Sequence, residues 1–314
     1  MYDEINKKVI KVDGGVGRVI ALTGVIDEFA KSNHKFEVNI ISPYPELFFG
    51  NPNINRSYHI SHQYLYDDVL KNADYIDLEP YNDYYYNNKR HLSEVYAKML
   101  LGELKFIEPH IYLSEDEIKA AKKYFTESFK KPIIFYQPFG SMGGKYESKC
   151  ENKEGLKCTD ITLMSDPTNR SLDFDFAEKL AKELKDDYDL VQIRSPDQKP
   201  IEGISSLLQP DGQVLPIRQI IAAMPYIKGV IACDSLIHHV AKVADAKSIV
   251  FWGTTYPENV GYSDQVNFLP TKKFVWTPNR MPHNNPDVDK TNKDLMKCYT
   301  DEDISKVKDI IKEW

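Results

Sequence analysis

Short apolar runs alternate along most of the chain with longer stretches whose apolar residues recur every three or four positions. That alternation predicts strands followed by helices, and hence parallel sheets built from βαβ units. KVIKV (8–12) reads as a first strand, DGGVGR (13–18) as a glycine-rich turn, and VIALTGVIDEFAK (19–31) as a helix. KFEVNIIS (35–42) and NADYIDL (72–78) read as further strands, with SEVYAKMLLGEL (93–104) as a helix. Ser114 and Glu117 form a capping box that opens a helix to about Phe129. KKPIIFYQPFG (130–140) then restarts the strand-and-loop pattern, which places a domain boundary near residues 129–132.

The second half repeats the alternation. A helix spans Leu172 to Lys185, with Phe176, Leu180 and Leu184 on one face. YDLVQIR (188–194) is a strand, and PIRQIIAAM (216–224) is a helix with Pro216 in its first turn. Val230–Cys233 and Ser248–Trp252 are two more strands, each ending in a polar corner. Thr300 caps a last helix whose Ile304, Val307, Ile311 and Trp314 form an apolar stripe that must dock on something.

The totals narrow the classes. A chain of 314 residues suits two domains, and 42% hydrophobic with 28% charged residues is ordinary globular composition. No apolar run reaches the length of a membrane span and the first residues lack a signal-peptide core, so a cytoplasmic protein is expected. Cys150, Cys158, Cys233 and Cys298 are too scattered for a disulfide framework or a zinc knuckle and read as free thiols. A net charge of -7 argues against a generally basic nucleic-acid protein, though not against a local basic cleft. The 20 tyrosines, many between residues 58 and 86, read either as a hydrated surface segment or as an aromatic wall for a sugar or base.

Ligands in doubly wound folds sit beyond the carboxyl ends of the strands. Three corners have that position: Asp13 to Arg18, Pro138 to Lys145 with Gly140 and Ser141, and Asp234 to His239 together with Gly253, Thr254 and Thr255. Ser235 starts a helix, and a helix N-terminus suits a phosphate. Arg170, just before the helix from Leu172, can fork onto a diphosphate. There is no P-loop signature, and the turn after the first strand lacks the third glycine of a dinucleotide fingerprint. DFD (173–175) and DVD (287–289) have the form of metal-binding Asp-x-Asp, but the first sits in a helix's opening turn and the second in a polar loop.

The segment DSLIHHVAKVADAKSIVFWGTTYPENVGY (234–262) resembles the C-terminal signature of glycosyltransferase family nine, the ADP-heptose:lipopolysaccharide heptosyltransferases. Asp234, Ser235, His239, Gly253, Thr255, Pro257 and Gly261 match it in spacing, while Leu236 replaces a family Gly and Thr254 a Pro. Arg170 falls where members carry a basic residue, and residues 12–29 resemble their first strand–turn–helix. The resemblance implies a GT-B fold: an α/β protein of two facing Rossmann-like, doubly wound domains. It assigns residues 1–130 to the acceptor and 131–299 to a nucleotide sugar, with 300–314 as a helix crossing back to the first domain. It further implies a metal-independent, inverting transfer without cofactor, and donor contacts from Gly140, Ser141, Arg170, Asp234, Ser235, His239, Gly253, Thr254 and Thr255.

One departure concerns the base. Members place an acidic residue directly after the glycine of the first turn, and here that position is Arg18, which cannot take a proton. Asp13, at the other end of the turn, becomes the candidate base, with Gly15, Gly17 and Arg18 left for phosphate or acceptor. The acceptor stays open. The family implies a glycan hydroxyl. The Lys-, Asn- and Tyr-rich composition is similar to that of large T-even-like phages, some of whose glycosyltransferases modify hydroxymethylated cytosine in DNA. Lys7, Lys8, Lys11, Lys89, Arg90, His91, Lys130, Lys131 and Lys145 would then be candidate DNA contacts, in the host cytoplasm. A monomer is expected, and a nucleotide-sugar-binding protein that has lost catalysis is the alternative reading.

Overall fold

The computed structural model describes residues 7–141, 143–148, 161–163, 166, 168–208, 215–276 and 290–314. Cys150, Cys158 and the DVD at 287–289 lie outside the described residues. Strands β1 (Lys7–Val12), β2 (Glu37–Ser42), β3 (Arg56–His59) and β4 (Ala73–Leu78) form one parallel sheet in the order β3-β2-β1-β4. Ile10 of β1 stands level with Ile40 of β2 on one side and Ile76 of β4 on the other.

The second sheet is also parallel. It comprises β5 (Ile133–Gln137), then, after a small antiparallel pair β6 (Tyr146–Ser148) and β7 (Ile161–Leu163), β8 (Asp189–Gln192), β9 (Ser205–Ser206), β10 (Gly229–Cys233), β11 (Ser248–Phe251) and β12 (Val266–Phe268). Its order is β12-β11-β10-β5-β8-β9. Strands β5, β10 and β11 are buried along their whole length, which is why they read as unbroken apolar runs rather than as alternation.

Both sheets step outward from their first strand and then reverse. The reversal falls between β1 and β4 in one sheet and between β5 and β10 in the other. At such switch points the connections diverge to opposite faces and leave a crevice at the carboxyl ends of the strands.

Helix α1 (Val16–Ser32) follows β1, and α2 (Asp83–Tyr86) and α3 (Leu92–Leu101) follow β4. The second sheet carries α4 (Glu115–Ser128), α5 (Phe174–Leu184), α6 (Ile217–Ala223), α7 (Leu236–Val243), α8 (Pro257–Val260) and α9 (Asp301–Glu313). Helix α1 packs against α7, and one apolar cluster runs from Ile10, Ile20 and Val25 to Phe135, Val230 and Ile237. The two sheets thus share a core.

Three expectations change. Helix α4 has the capping box read from Ser114 and Glu117 but packs on α6, with Phe125 against Phe135 of β5. It therefore sits with the second sheet, and a boundary at 129–132 falls too late, because a cap fixes where a helix starts and not which sheet it covers. Pro216 stands just before α6 as its cap rather than inside its first turn. The last helix does not cross back. Ile304, Val307 and Ile311 of α9 are buried with Phe176, Leu180, Ile231 and Phe251 of the second body. Lys179–Asp301 and Lys308–Glu183 ion pairs hold α9 along α5. The apolar stripe called for a partner, and the partner is the adjacent helix of its own sheet.

Candidate functional site

The first wall of the site is the turn after β1. Gly14 holds φ at +99°, a conformation that costs L side chains and suits glycine. Gly15 precedes α1 with no side-chain cap, and nothing lies within 4 Å of where its β-carbon would be. The opening amides of α1, at the positive end of the helix dipole, therefore have no capping side chain.

Arg18 is almost fully buried. Its Nε donates to the Tyr96 hydroxyl at 3.0 Å and its Nη2 to the Leu78 carbonyl at 2.9 Å, with Glu79 at 3.4 Å. The guanidinium also lies 5.0 Å from the centre of the Tyr81 ring. Burial pushes the Tyr96 hydroxyl's pKa upward, so it stays neutral beside this cation. Arg18 thereby ties the first turn of α1 to the end of β4 across the first switch point.

The second wall is built around Arg170. Asp166 accepts from the amide of Thr168 at 2.8 Å and from that of Ser171 at 3.1 Å, which folds the loop before α5. Thr168 Oγ1 accepts from Arg170 Nε at 3.1 Å, and Nη1 donates to the Asp234 carbonyl at 3.1 Å. Arg170 thus bridges to the end of β10. Gly140 donates to Ser171 Oγ at 2.9 Å, and a β-carbon on Gly140 would stand 3.6 Å from Arg170 Nη2. Gln198 donates to the carbonyls of Gly140 at 2.6 Å and Gly143 at 2.8 Å, fixing the same loop.

Helix α7 begins at this wall. Gln137, the last residue of β5, accepts from the amide of Ile237 at 2.9 Å and caps the helix. Ser235 makes no side-chain cap and lines the cleft instead. His239 Nδ1 lies 2.9 Å from the Tyr262 hydroxyl, and its ring abuts Gly17 of α1.

Between the walls is a cleft of about 780 Å3. Gly15, Gly17 and Arg18 line one side, and Gly140, Ser141, Arg170, Ser235 and His239 the other. Its charged lining comprises Arg18, Lys145, Arg170 and Arg194 against Glu46 and Asp197. This local excess of cations, in a chain of net charge -7, suits an anionic ligand.

Other residues singled out from the sequence lie elsewhere. Asp13 is exposed and accepts from the Gly14 amide at 2.6 Å, outside the cleft lining. The Asp234 side chain is buried with Oδ1 at 3.6 Å from His238 Nε2, and its carbonyl accepts from Arg170 Nη1. Gly253, Thr254 and Thr255 are buried beneath the Arg170 loop. Thr254 donates to the Thr168 carbonyl at 3.2 Å, and a β-carbon at Gly253 would meet the Asn169 carbonyl at 1.7 Å. This corner supports the wall from behind rather than facing the cleft.

Lys89 stands 3.9 Å from the centre of the Tyr256 ring, and Arg90 pairs with Glu94 at 3.3 Å. His91 is buried as the cap of α3, accepting from the Ser93 amide at 3.1 Å, and burial lowers its pKa to about 3. It is neutral at physiological pH and serves the helix rather than an anion.

Sequence reasoning missed Gln137, Asp166, Arg194 and Gln198. Gln137 carried a usable signal, a polar residue closing an otherwise apolar strand at a switch point.

No protein-family model and no curated protein matches the sequence. Solved structures do. A family 9 glycosyl transferase from Veillonella parvula aligns over 99% of this chain and 98% of its own, with a TM-score of 0.63 at 13% identity. TibC, a dodecameric iron-containing glycosyltransferase from enterotoxigenic E. coli, aligns over 98% of this chain and 77% of its own, with a TM-score of 0.64 at 12% identity. E. coli ADP-heptose lipopolysaccharide heptosyltransferase II covers 92% and 98%, with a TM-score of 0.58 at 13% identity. The TM-scores show a shared fold, and at these identities they show the fold alone. The chain has the GT-B arrangement of the family-nine heptosyltransferases.

Proposed function

We propose that the protein is a glycosyltransferase that moves a sugar from a nucleotide-diphosphate sugar to an acceptor hydroxyl. The observation that carries this reading is the convergence on one cleft of two helix N-termini, those of α1 and α7, with Arg18 and Arg170. Each feature alone is common. Together, at the switch points of two facing sheets, they form an electrostatic cradle for a leaving diphosphate.

In this reading Arg170 and the Gly140–Ser141 and Ser235 backbone hold the diphosphate against the second wall. The acceptor enters from the α1 side, and its oxygen attacks the anomeric carbon from the face opposite the departing phosphate, inverting the configuration. Charge on the leaving oxygen is met by fixed dipoles and the guanidinium, so a metal ion is not required. A glycan hydroxyl is the favoured acceptor. The DNA alternative leaned on lysines, and Lys8, Lys11 and Lys145 are each paired with an aspartate, Asp74, Asp77 and Asp197.

The test is incubation with UDP-, ADP- and GDP-sugars in EDTA, reading release of nucleoside diphosphate. Release supports a metal-independent transferase. Tight binding without release, with and without added glycan or hydroxymethylcytosine duplex, supports a binding protein without catalysis. Release that appears only with divalent cation contradicts the metal-free chemistry.

A further inference from the structure

Resting on the transferase reading, we infer that Glu46 is the general base that deprotonates the acceptor hydroxyl. The base position of the resembling family is Arg18, whose guanidinium is engaged by Tyr96, Leu78 and Glu79. Another carboxylate must supply the function, and two line the cleft, Glu46 and Asp197.

Asp197 is already committed. Lys145 lies 2.7 Å from it and Ser195 Oγ donates at 2.5 Å. Lys145 first, then Ser195, hold its carboxyl below the usual range, which weakens it as a proton acceptor. Asp197 also sits on the wall that would hold the donor.

Glu46 has the opposite situation. It lies on the short 3-10 turn Pro45–Phe48 after β2, on the acceptor wall, partly exposed to the cleft. Among the described residues no hydrogen bond or ion pair engages its carboxylate. Its backbone, by contrast, is pinned. Arg218 of α6 donates from Nη1 to the Glu46 carbonyl at 3.0 Å and to the Phe49 carbonyl at 3.2 Å, while Glu117 grips Arg218 Nε at 2.6 Å. An unengaged carboxylate on a turn fixed from the facing body is the arrangement a base requires.

The step balances simply. The acceptor O–H proton passes to a Glu46 oxygen as the acceptor oxygen bonds to the anomeric carbon. The bond from that carbon to the phosphate oxygen breaks, and its electron pair leaves on the nucleoside diphosphate.

The experiment compares wild type and Glu46→Gln in release of nucleoside diphosphate from UDP-glucose, ADP-glucose and GDP-mannose, with water standing in as the acceptor hydroxyl, and with the released product's affinity measured in parallel. The expected result is a rate lower by about 100- to 10,000-fold, the usual range for a lost general base, with affinity and melting temperature unchanged. Glu46→Asp recovers part of the rate. An unchanged rate in Glu46→Gln, or a fall in rate matched by a fall in affinity, overturns this role. Wild-type protein that releases nothing from any of the three sugars overturns the transferase reading itself, and the role of Glu46 with it.

Discussion

Gly17 and His239 interlock the two bodies: a β-carbon on residue 17 would lie 2.4 Å from His239 Cδ2 and 2.5 Å from its Nε2. No real side chain fits there, so the approach of α1 to α7, and with it the width of the cleft floor, depends on a hydrogen at this position. Gly17→Ala is expected to destabilise the protein by about 1–3 kcal/mol, the usual range for overpacking. Combined with His239→Ala, the cost should be less than the sum of the two single costs. Denaturant unfolding of the four proteins of this cycle measures the coupling, and strict additivity would contradict the contact.

The Arg218–Glu117 pair joins α6 to α4 and to the turn bearing Glu46. The Arg218 hydrogen bonds, offset in part by burial and aided by Ser114, hold the Glu117 carboxyl at about 2, below its usual 4.5. A depressed carboxylate stabilises the fold above its unfolded pKa and loses that contribution as pH falls from about 4.5 toward 2. Glu117→Gln should therefore lower stability by about 1–3 kcal/mol at pH 7. The difference from wild type should shrink steadily below pH 4.5, as followed by melting temperature.

His91 titrates in a second window. Burial lowers its pKa from 6.5 to about 3, so the unfolded chain takes up a proton that the folded chain refuses. Its contribution is complete above pH 6.5 and declines as pH drops toward 3. His91→Asn keeps a capping acceptor for the Ser93 amide but does not titrate. Its melting temperature should fall less than that of wild type between pH 6.5 and 4.

Ile311 of α9 is completely buried in the second body's apolar cluster. Ile311→Ala should cost about 2–5 kcal/mol by the lost burial and the cavity left behind. Because α9 packs on α5 and not on the first sheet, hydrogen exchange should rise in α5 and β10 and stay unchanged in β1 and β2.

Much of this architecture was legible in the chain. The apolar runs marked β1, β2, β4, β5, β8, β10 and β11, and the spaced apolar residues marked α1, α3, α5 and α9, because burial leaves a direct periodic trace. The paired glycine-rich turns pointed to the carboxyl ends where the cleft opens. What the chain did not show was partnership across distance. Ser235 looks like the cap of α7, yet Gln137, a hundred residues earlier, does that work. Asp234 and Thr255 look like ligand groups by their motif spacing, but both side chains are buried behind the wall. Arg18 and Arg170 carry no mark in the sequence of the carbonyls they hold, since Leu78 ends β4 and Asp234 follows β10, and both are brought near only by the fold.

The proposed transfer rests on an anion site at Arg170. Calorimetric titration of wild type and Arg170→Ala with UDP, ADP and GDP, in EDTA at low salt, probes that site. Wild type should bind at least one nucleoside diphosphate, and the variant should lose about 10- to 100-fold in affinity, as expected for charged hydrogen bonds to phosphate. Equal affinity in the two proteins, or no binding by wild type to any of the three, would contradict the account.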